Sequence, residues 1–472
     1  MDRYMDFVEG RDRIKKKVLI LGAARQGLAL ARYLALHDCD VTINDRQSAE
    51  DLREAQEQLS GLDVKWVLGG HPVEILDGKD MVCVSGGVPL TLPLIQEAQK
   101  RGILITNDSQ IFLELTPAKV IGITGSAGKT TTTSLVGRIA QMAVEKYVEE
   151  IPYRKVWVGG NIGNPLIGNV DEMTRDDLVI LELSSFQLEL MTTSPQVAVV
   201  LNITPNHLDR HGTMESYIAA KAHILTHQRT SDIAILNRED SGSWGLKGEV
   251  QGKLATFGLS FSQEYAGTFF DDETLYYWDG CSTEAILHKK DIQLRGEHNL
   301  QNVSAACMTV IAAGLPPSAC RDGVMGFSGV AHRLEFVRQW GGASWYNDSI
   351  ATAPERSMAA IRSFTEPLVL LAGGRDKNLP WMDFARLAIS RVRYFILFGE
   401  AADKIERTLL EVGGDKDLRI IRCAGLQEAV QKAASIVQPG DVVLLSPGGT
   451  SFDEFRDFEE RGECFRKWVM DL

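Results

Sequence analysis

The chain has 472 residues, 44% of them hydrophobic and 24% charged, with a net charge of −13. That length predicts about three domains, each able to bury a core. The acidic balance, with no basic block, argues against nucleic acid as the main partner but leaves small anionic substrates open. Seven scattered cysteines without a C-x-x-C pair argue for reduced thiols rather than a disulfide framework or a zinc site. Residues 1–17 are polar and end in three lysines, unlike a signal peptide. No apolar run approaches the ~20 residues of a membrane helix. A cytoplasmic protein with no membrane partner is the expectation.

Residues 18–27 read as strand, glycine turn and helix, the helix continuing through Leu28, Leu30, Ala31 and Leu34. A strand at residues 40–44 ends in Asp45, which makes a βαβ unit with G-x-A-x-x-G in its turn. Ala24 replaces the glycine that lets a pyrophosphate approach closely, which disfavours NAD. A nucleotide contact and a bare Rossmann-like turn both remain open. A third strand, residues 80–84, runs into Ser85-Gly-Gly-Val-Pro89, a loop of the kind that gathers round one crevice. The pattern resets near Asn107, and Thr116-Pro117 breaks the chain before the next strand.

That strand opens the most informative stretch, residues 120–133. An apolar run ends at Ile123, small residues follow, and a helical pattern begins near Thr130. Gly125 and Gly128 permit a tight turn, with amides and a helix start facing an anion. Lys129 would neutralise the β/γ-phosphates and the Thr130 hydroxyl would sit on Mg2+. The strict G-x4-G-K-[ST] form fails at Ile123, leaving the shorter T-G-S-x-G-K-T. A plain Gly/Ser turn explains the glycines but not Gly-Lys-Thr between strand and helix, so ATP or GTP is the expected ligand.

Further strands are expected at residues 178–183, 197–201 and 233–236. An antiparallel hairpin region follows over residues 254–295, turning at Asp279-Gly280. Residues 326–329 mark a second linker. Strands at 345–347, 368–372, 395–398 and 442–445 then alternate with helices as a third α/β unit. Glu182 ends a buried strand, where a carboxylate is costly unless paired or bound to metal; a surface strand end is the alternative. Behind Pro205, His207, Asp209, Arg210 and His211 cluster, which makes His207 a candidate ligand. Lys221, flanked by Ala and Ile, faces partly inward and reads as an anion contact or a snorkelling side chain.

Together these motifs resemble the Mur ligase family, ATP-dependent amide-bond synthases that build the peptidoglycan stem peptide. The matches are T-G-S-x-G-K-T-T, Gly159-Gly-Asn-Ile-Gly163, Glu182-Leu-Ser-Ser-Phe-Gln187, Asn202-Ile-Thr-Pro-Asn-His-Leu-Asp209 and Tyr217-x-x-x-Lys221. They continue through Gly296-Glu-His-Asn-x-x-Asn302, His332-Arg333-x-Glu335, Asn347-Asp-Ser349, Gly373-Gly-x-Asp-Lys377 and Leu445-Ser-Pro447, so the resemblance covers essentially the whole chain. Ser451-Phe-Asp-x-Phe455 and Phe458-Glu-Glu-Arg-Gly462 are similar to the members that add D-glutamate.

The resemblance implies an α/β chain of three domains. Residues 1–108 would form a Rossmann-like domain for the UDP-substrate. Residues 109–328 would form a P-loop ATPase-like domain with a parallel sheet and a small antiparallel region, and residues 329–472 a Rossmann-like domain for the amino acid. It implies ATP at Gly125, Ser126, Ala127, Gly128, Lys129, Thr130, Thr131, Asn299, Asn302, Arg333 and Asp348. Two Mg2+ would sit on Thr130, Glu182, His207 and a carbamylated Lys221. UDP-N-acetylmuramoyl-L-alanine would touch Ala24, Arg25, Gln26, Asp45, Arg46, Ser85, Gly86, Asn161, Ser184, Gln187 and His207. D-glutamate would be held by Thr352, Lys377, Ser451 and the Phe458 backbone. Lys129, Glu182, His207, Lys221 and Arg333 would carry the chemistry in a monomer, with domain closure excluding water. Ala127, Ile350 and Pro447-Gly-Gly-Thr450 depart from the family pattern, the last two beside the amino-acid pocket. The alternatives are a sibling ligase or folylpolyglutamate synthase adding another amino acid, an NAD-linked oxidoreductase, and a nucleotide sensor without catalysis.

Overall fold

A computed structural model describes residues 15–472 apart from Asn378, Asp415 and Lys416, and leaves the side chain of Asp209 undescribed. Most of the lysine-ending N-terminal stretch therefore lies outside the described residues. The chain forms two compact units, the second comprising Gln293–Gly296 with Phe327–Leu472.

The first unit holds two sheets. Strands β1 (Lys17–Leu21), β2 (Asp40–Asp45), β3 (Val64–Leu68), β4 (Met81–Val84) and β5 (Leu104–Thr106) pair in the order β3-β2-β1-β4-β5, all parallel. β1 and β4 are buried along almost their whole length, as strands covered on both faces must be. The strand order reverses beside β1, so the turns after β1 and β4 open side by side at the sheet's C-terminal edge.

The second sheet contains β6 (Lys119–Thr124), β7 (Lys155–Gly160), β8 (Asp177–Glu182), β9 (Val197–Val200), β10 (Ile233–Asn237), β11 (Lys253–Phe257), β12 (Gly267–Asp271), β13 (Thr274–Trp278) and β14 (Thr283–His288). Their order is β14-β13-β12-β11-β10-β9-β6-β8-β7. The antiparallel reading of residues 254–295 holds for β12, β13 and β14 among themselves. It fails for β11, which pairs with β10 and with β12 in parallel. The helical turns Ser241–Trp244 and Gly245–Glu249 supply the crossover that a parallel pairing needs. One continuous core runs through both sheets, from Val18, Ile20 and Leu34 to Val179, Leu188 and Tyr217.

The second unit is one sheet with a core on each face. Strands β15 (Glu335–Trp340), β16 (Ala343–Asn347), β17 (Leu368–Gly373), β18 (Val392–Phe398), β19 (Ile420–Arg422) and β20 (Val442–Gly448) pair as β15-β16-β20-β17-β18-β19. All are parallel except β15, which turns back antiparallel on β16. Phe364, Trp381, Phe384 and Phe395 fill one face; Trp345, Phe398 and Phe465 fill the other. Among the described residues no helix is long and apolar enough to cross a membrane, and all seven cysteines are free thiols.

Candidate active site

The phosphate-type loop joins β6 to the helix Lys129–Lys146. Gly128 sits at the helix start with φ +80°, and a Cβ there would lie 2.3 Å from Asn302 Oδ1, so both backbone and space demand glycine. Asn302 in turn accepts from the Thr132 hydroxyl (3.3 Å) and donates to Asn299 Oδ1 (2.9 Å), which brings the expected nucleotide pair onto the loop.

The loop differs from expectation in one respect. The amides of Ser126 and Ala127 donate to the backbone carbonyl and side chain of Asn202, at 2.9 and 2.8 Å, and Asn202 Nδ2 returns a bond to the Ala127 carbonyl. The first half of the loop is therefore pinned to the strand-end loop after β9. The second half, where the helix begins, is left to meet phosphates. Lys129 Nζ folds back on the Gly125 carbonyl at 2.8 Å.

Parallel register sets Glu182, the last residue of β8, opposite Ile123 at the mouth of this loop. Its side chain is 2% exposed; Oε1 accepts from Asn161 Nδ2 at 2.9 Å, and Oε2 is buried without a hydrogen-bond partner among the described residues. A buried carboxylate oxygen with a vacant lone pair, one strand from a Gly-Lys-Thr turn, suits a hard divalent cation. The donor chemistry of Glu182, and of the Thr130 hydroxyl at the start of the helix after the loop, fits the Mg2+ that the motif implies.

Lys221 is buried outright, 1% exposed, on the helix Met214–Thr226. Its Nζ donates to the Gly125 carbonyl (3.0 Å) and the Thr124 hydroxyl (3.2 Å), so two lysines meet on one carbonyl. Burial first, then the charge of Lys129, pushes the Lys221 ammonium down to about 7. The snorkelling reading is excluded, because the amine points into the protein. His207 begins the turn Leu208–His211 in the left-handed region, φ +53°. Such strain in a non-glycine residue is held in place by its surroundings and often marks function.

Around the first sheet's crevice, Gly22 has φ +99° and its absent Cβ would press on Ser85. Asp45 accepts from the amides of Ala23 (2.8 Å) and Gln47 (3.0 Å), so it latches the turn after β1. Ala24, Arg25 and Arg46 are exposed at the same edge. Arg210 reaches over from the second sheet to the Gly86, Gly87 and Val88 carbonyls. Ser184 and Gln187 form a capping box on the turn Ser185–Leu188. Gln187 is 1% exposed, with Oε1 accepting from Ser184 and Nε2 donating to Ser109 Oγ.

In the second unit, the C-terminal ends of β16, β17 and β20 carry the loops with Thr352, Lys377 and Ser451. Arg333 lies in a tight turn between His332 (φ +62°) and Leu334 (φ +44°). The turn is held by Glu335 on the His332 amide and Asp348 on the Leu334 amide. Burial pushes the Asp348 carboxyl up to about 7, against the Ser446 hydroxyl that donates to it. Asp348 thus supports the turn from inside the fold, 5% exposed.

Sequence reasoning passed over Arg461, wholly buried, whose guanidinium donates to Ser349 Oγ and to the Ser349 and Gly449 carbonyls. Its spacing with the buried Phe465 and Val469 was the available signal. The Pro447-Gly-Gly-Thr450 departure has a steric cause: Gly448 has φ +72°, and a Cβ there would lie 2.6 Å from the Trp381 ring. Ile350 packs as backbone, its amide on the His332 carbonyl and its carbonyl receiving Arg356.

Three family models match in succession: "Mur ligase MurD-like, N-terminal domain" over residues 16–107, "Mur ligase middle domain" over 123–310, and "Mur ligase, glutamate ligase domain" over 332–449. The UDP-N-acetylmuramoylalanine–D-glutamate ligase of Symbiobacterium thermophilum is 41% identical, covering 98% of this chain and 99% of that protein. The enzyme of the same name from Acetivibrio thermocellus is 38% identical over 97% of each. Among solved structures, MurF from Acinetobacter baumannii superposes with a TM-score of 0.57 at 16% identity over 99% of this chain and 98% of that one. UDP-N-acetylmuramate–alanine ligase MurC from Thermotoga maritima gives 0.55 at 16% identity over 96% of this chain and 99% of that one. At those identities the likeness concerns the fold.

Proposed function

The chain belongs to the Mur ligase family, and we propose that it joins D-glutamate to UDP-N-acetylmuramoyl-L-alanine at the expense of ATP, in peptidoglycan precursor synthesis. The observations that carry this reading are the meeting of Lys129 and Lys221 on the Gly125 carbonyl and the unpartnered buried oxygen of Glu182 at the end of the strand paired with β6.

The reaction has two steps. The substrate's alanine carboxylate attacks the γ-phosphorus, the bond to the β-phosphate oxygen breaks, and an acyl phosphate and ADP result. The D-glutamate amine then attacks the acyl carbon, giving the amide, inorganic phosphate and a proton. Both partners of the first step are anions, so their approach needs neutralisation. Lys129 and the helix start are assigned to the triphosphate, and Arg333 is assigned to the charge that develops, which its planar donors would suit. Asn302 and Asn299, hydrogen-bonded to each other and through Asn302 to Thr132, are assigned to the nucleoside.

Thr130 and Glu182 would hold one Mg2+, and His207 with a modified Lys221 a second; bound there, the ions would polarise the phosphoryl oxygens. The Lys221 amine, whose charged form burial disfavours, is suited in its neutral form to attack CO2, forming an N–C bond and releasing one proton. That converts a costly buried cation into an anion able to meet a metal. Thr352, Lys377, Ser451 and the Phe458 backbone are assigned to D-glutamate. Residues 1–108, 109–328 and 329–472 are assigned to the UDP-substrate, ATP and the amino acid, in a cytoplasmic monomer. The test is phosphate release with a panel of amino acids: D-glutamate should stimulate it, and equal or greater stimulation by L-alanine, meso-diaminopimelate or L-glutamate would refute the assignment.

A further inference from the structure

We propose that Arg210 is a positioning residue that couples the crevice of the first sheet to His207 through the ring of Phe186. The inference deepens the ligase reading and rests on it for the identity of the substrate.

The guanidinium of Arg210 donates to three successive carbonyls of the loop after β4: Gly87 at 3.2 Å, Gly86 at 3.3 Å and Val88 at 3.2 Å. That loop lies at the first sheet's strand reversal, where a ligand of this fold sits. The same guanidinium lies 4.4 Å from the centroid of Phe186, close enough for a cation–π contact. Phe186 meets His207 edge-on at 5.2 Å, and His211 stacks on Phe186 at 5.1 Å and 5°. His211 Nε2 is 2.9 Å from Ser185 Oγ, which fixes the far side of the clasp.

One side chain therefore grips the loop of one sheet with its donors and the ligand platform of another with its face. Only a planar, delocalised cation does both. Ordering of the Gly86–Val88 carbonyls by a bound substrate would hold Arg210, hence Phe186, hence the strained turn that presents His207. The loop carbonyls have no sequence-specific chemistry of their own, so the coupling resides in Arg210.

The test compares Arg210→Ala, Arg210→Lys and Phe186→Leu with the full-length wild type, by steady-state phosphate release and by calorimetric titration with UDP alone. Arg210→Ala should raise KM for the UDP-substrate about tenfold and lower kcat, with KM for ATP changed less than about twofold. Arg210→Lys should recover little of the loss, and Phe186→Leu should lower kcat with a smaller effect on UDP affinity. Wild-type behaviour of Arg210→Ala, or equal losses for ATP and the UDP-substrate, would overturn the proposal. Should Arg210→Ala fail to fold, the other two variants decide by the same split. The UDP titration involves no turnover, so unchanged UDP affinity in Arg210→Ala and Arg210→Lys sinks the coupling, whereas absent D-glutamate turnover in the wild type sinks the ligase reading instead.

Discussion

Lys221 shows most directly how environment makes chemistry from an ordinary side chain. Its ammonium is held down to about 7 by burial and by Lys129, whereas an unfolded chain keeps a lysine charged to about 10.4. Between those values the unfolded state binds more protons, so the lysine's burden on stability is full below about pH 7 and fades as pH rises toward the unfolded value. Lys221→Met should therefore melt higher than wild type at pH 7 by a few degrees, about 2–4 °C, in CO2-free buffer, with the gap closing by pH 10. A gap that widens with pH would contradict this. Glu182→Gln tests the neighbouring carboxylate. It keeps the bond from Asn161 by its amide oxygen but removes the charge, so the Mg2+ concentration for half-maximal activity should rise about tenfold or more. An unchanged Mg2+ titration would remove Glu182 from the metal.

Among elements, the loop between β6 and its helix depends on a partner that the sequence pattern did not single out. Asn202 opens one of the matched motifs, but nothing in spacing says that its side chain clamps Ala127 by both amide and carbonyl. Asn202→Ala should loosen the loop, raising KM for ATP about tenfold while leaving far-ultraviolet circular dichroism unchanged. Equal KM values would mean the clamp is ornamental. Gly448→Ala in the second unit should cost about 1–3 kcal/mol by thermal melting, because the new methyl meets Trp381 at a left-handed backbone position. What was legible at this scale follows one rule. Strands buried along most of their length, β1, β4, β8, β9, β17 and β20, announce themselves as apolar runs. β3, β15 and β19 are half exposed and lack such a run, and β5 is only three residues long, so they passed unread. The parallel pairing of β11 depends on a crossover through short helical turns, which periodicity alone does not reveal.

For the whole molecule, the order of strand-end loops rather than any single motif carries the account. Lys129, Glu182 and His207 come from the ends or following loops of β6, β8 and β9, which lie side by side although 78 residues separate the first from the last. Sequence showed that these residues sit at strand ends; the sheet order β9-β6-β8 makes those strand ends neighbours. The inward aim of Lys221 was legible because alanine and isoleucine flank it, but its meeting with Lys129 on the Gly125 carbonyl was not. The motif around Gln187 was recognisable, whereas the capping box that its side chain closes with Ser184 was not.

The central claim is that the γ-phosphoryl group of ATP activates the alanine carboxylate and that D-glutamate takes the acyl group. Labelling both carboxylate oxygens of UDP-N-acetylmuramoyl-L-alanine with oxygen-18 and weighing the inorganic phosphate released in the presence of ATP and D-glutamate tests it most directly. The account predicts one labelled oxygen in each phosphate and one retained in the new amide. Unlabelled phosphate would mean that the carboxylate never attacked phosphorus, and the account would fall.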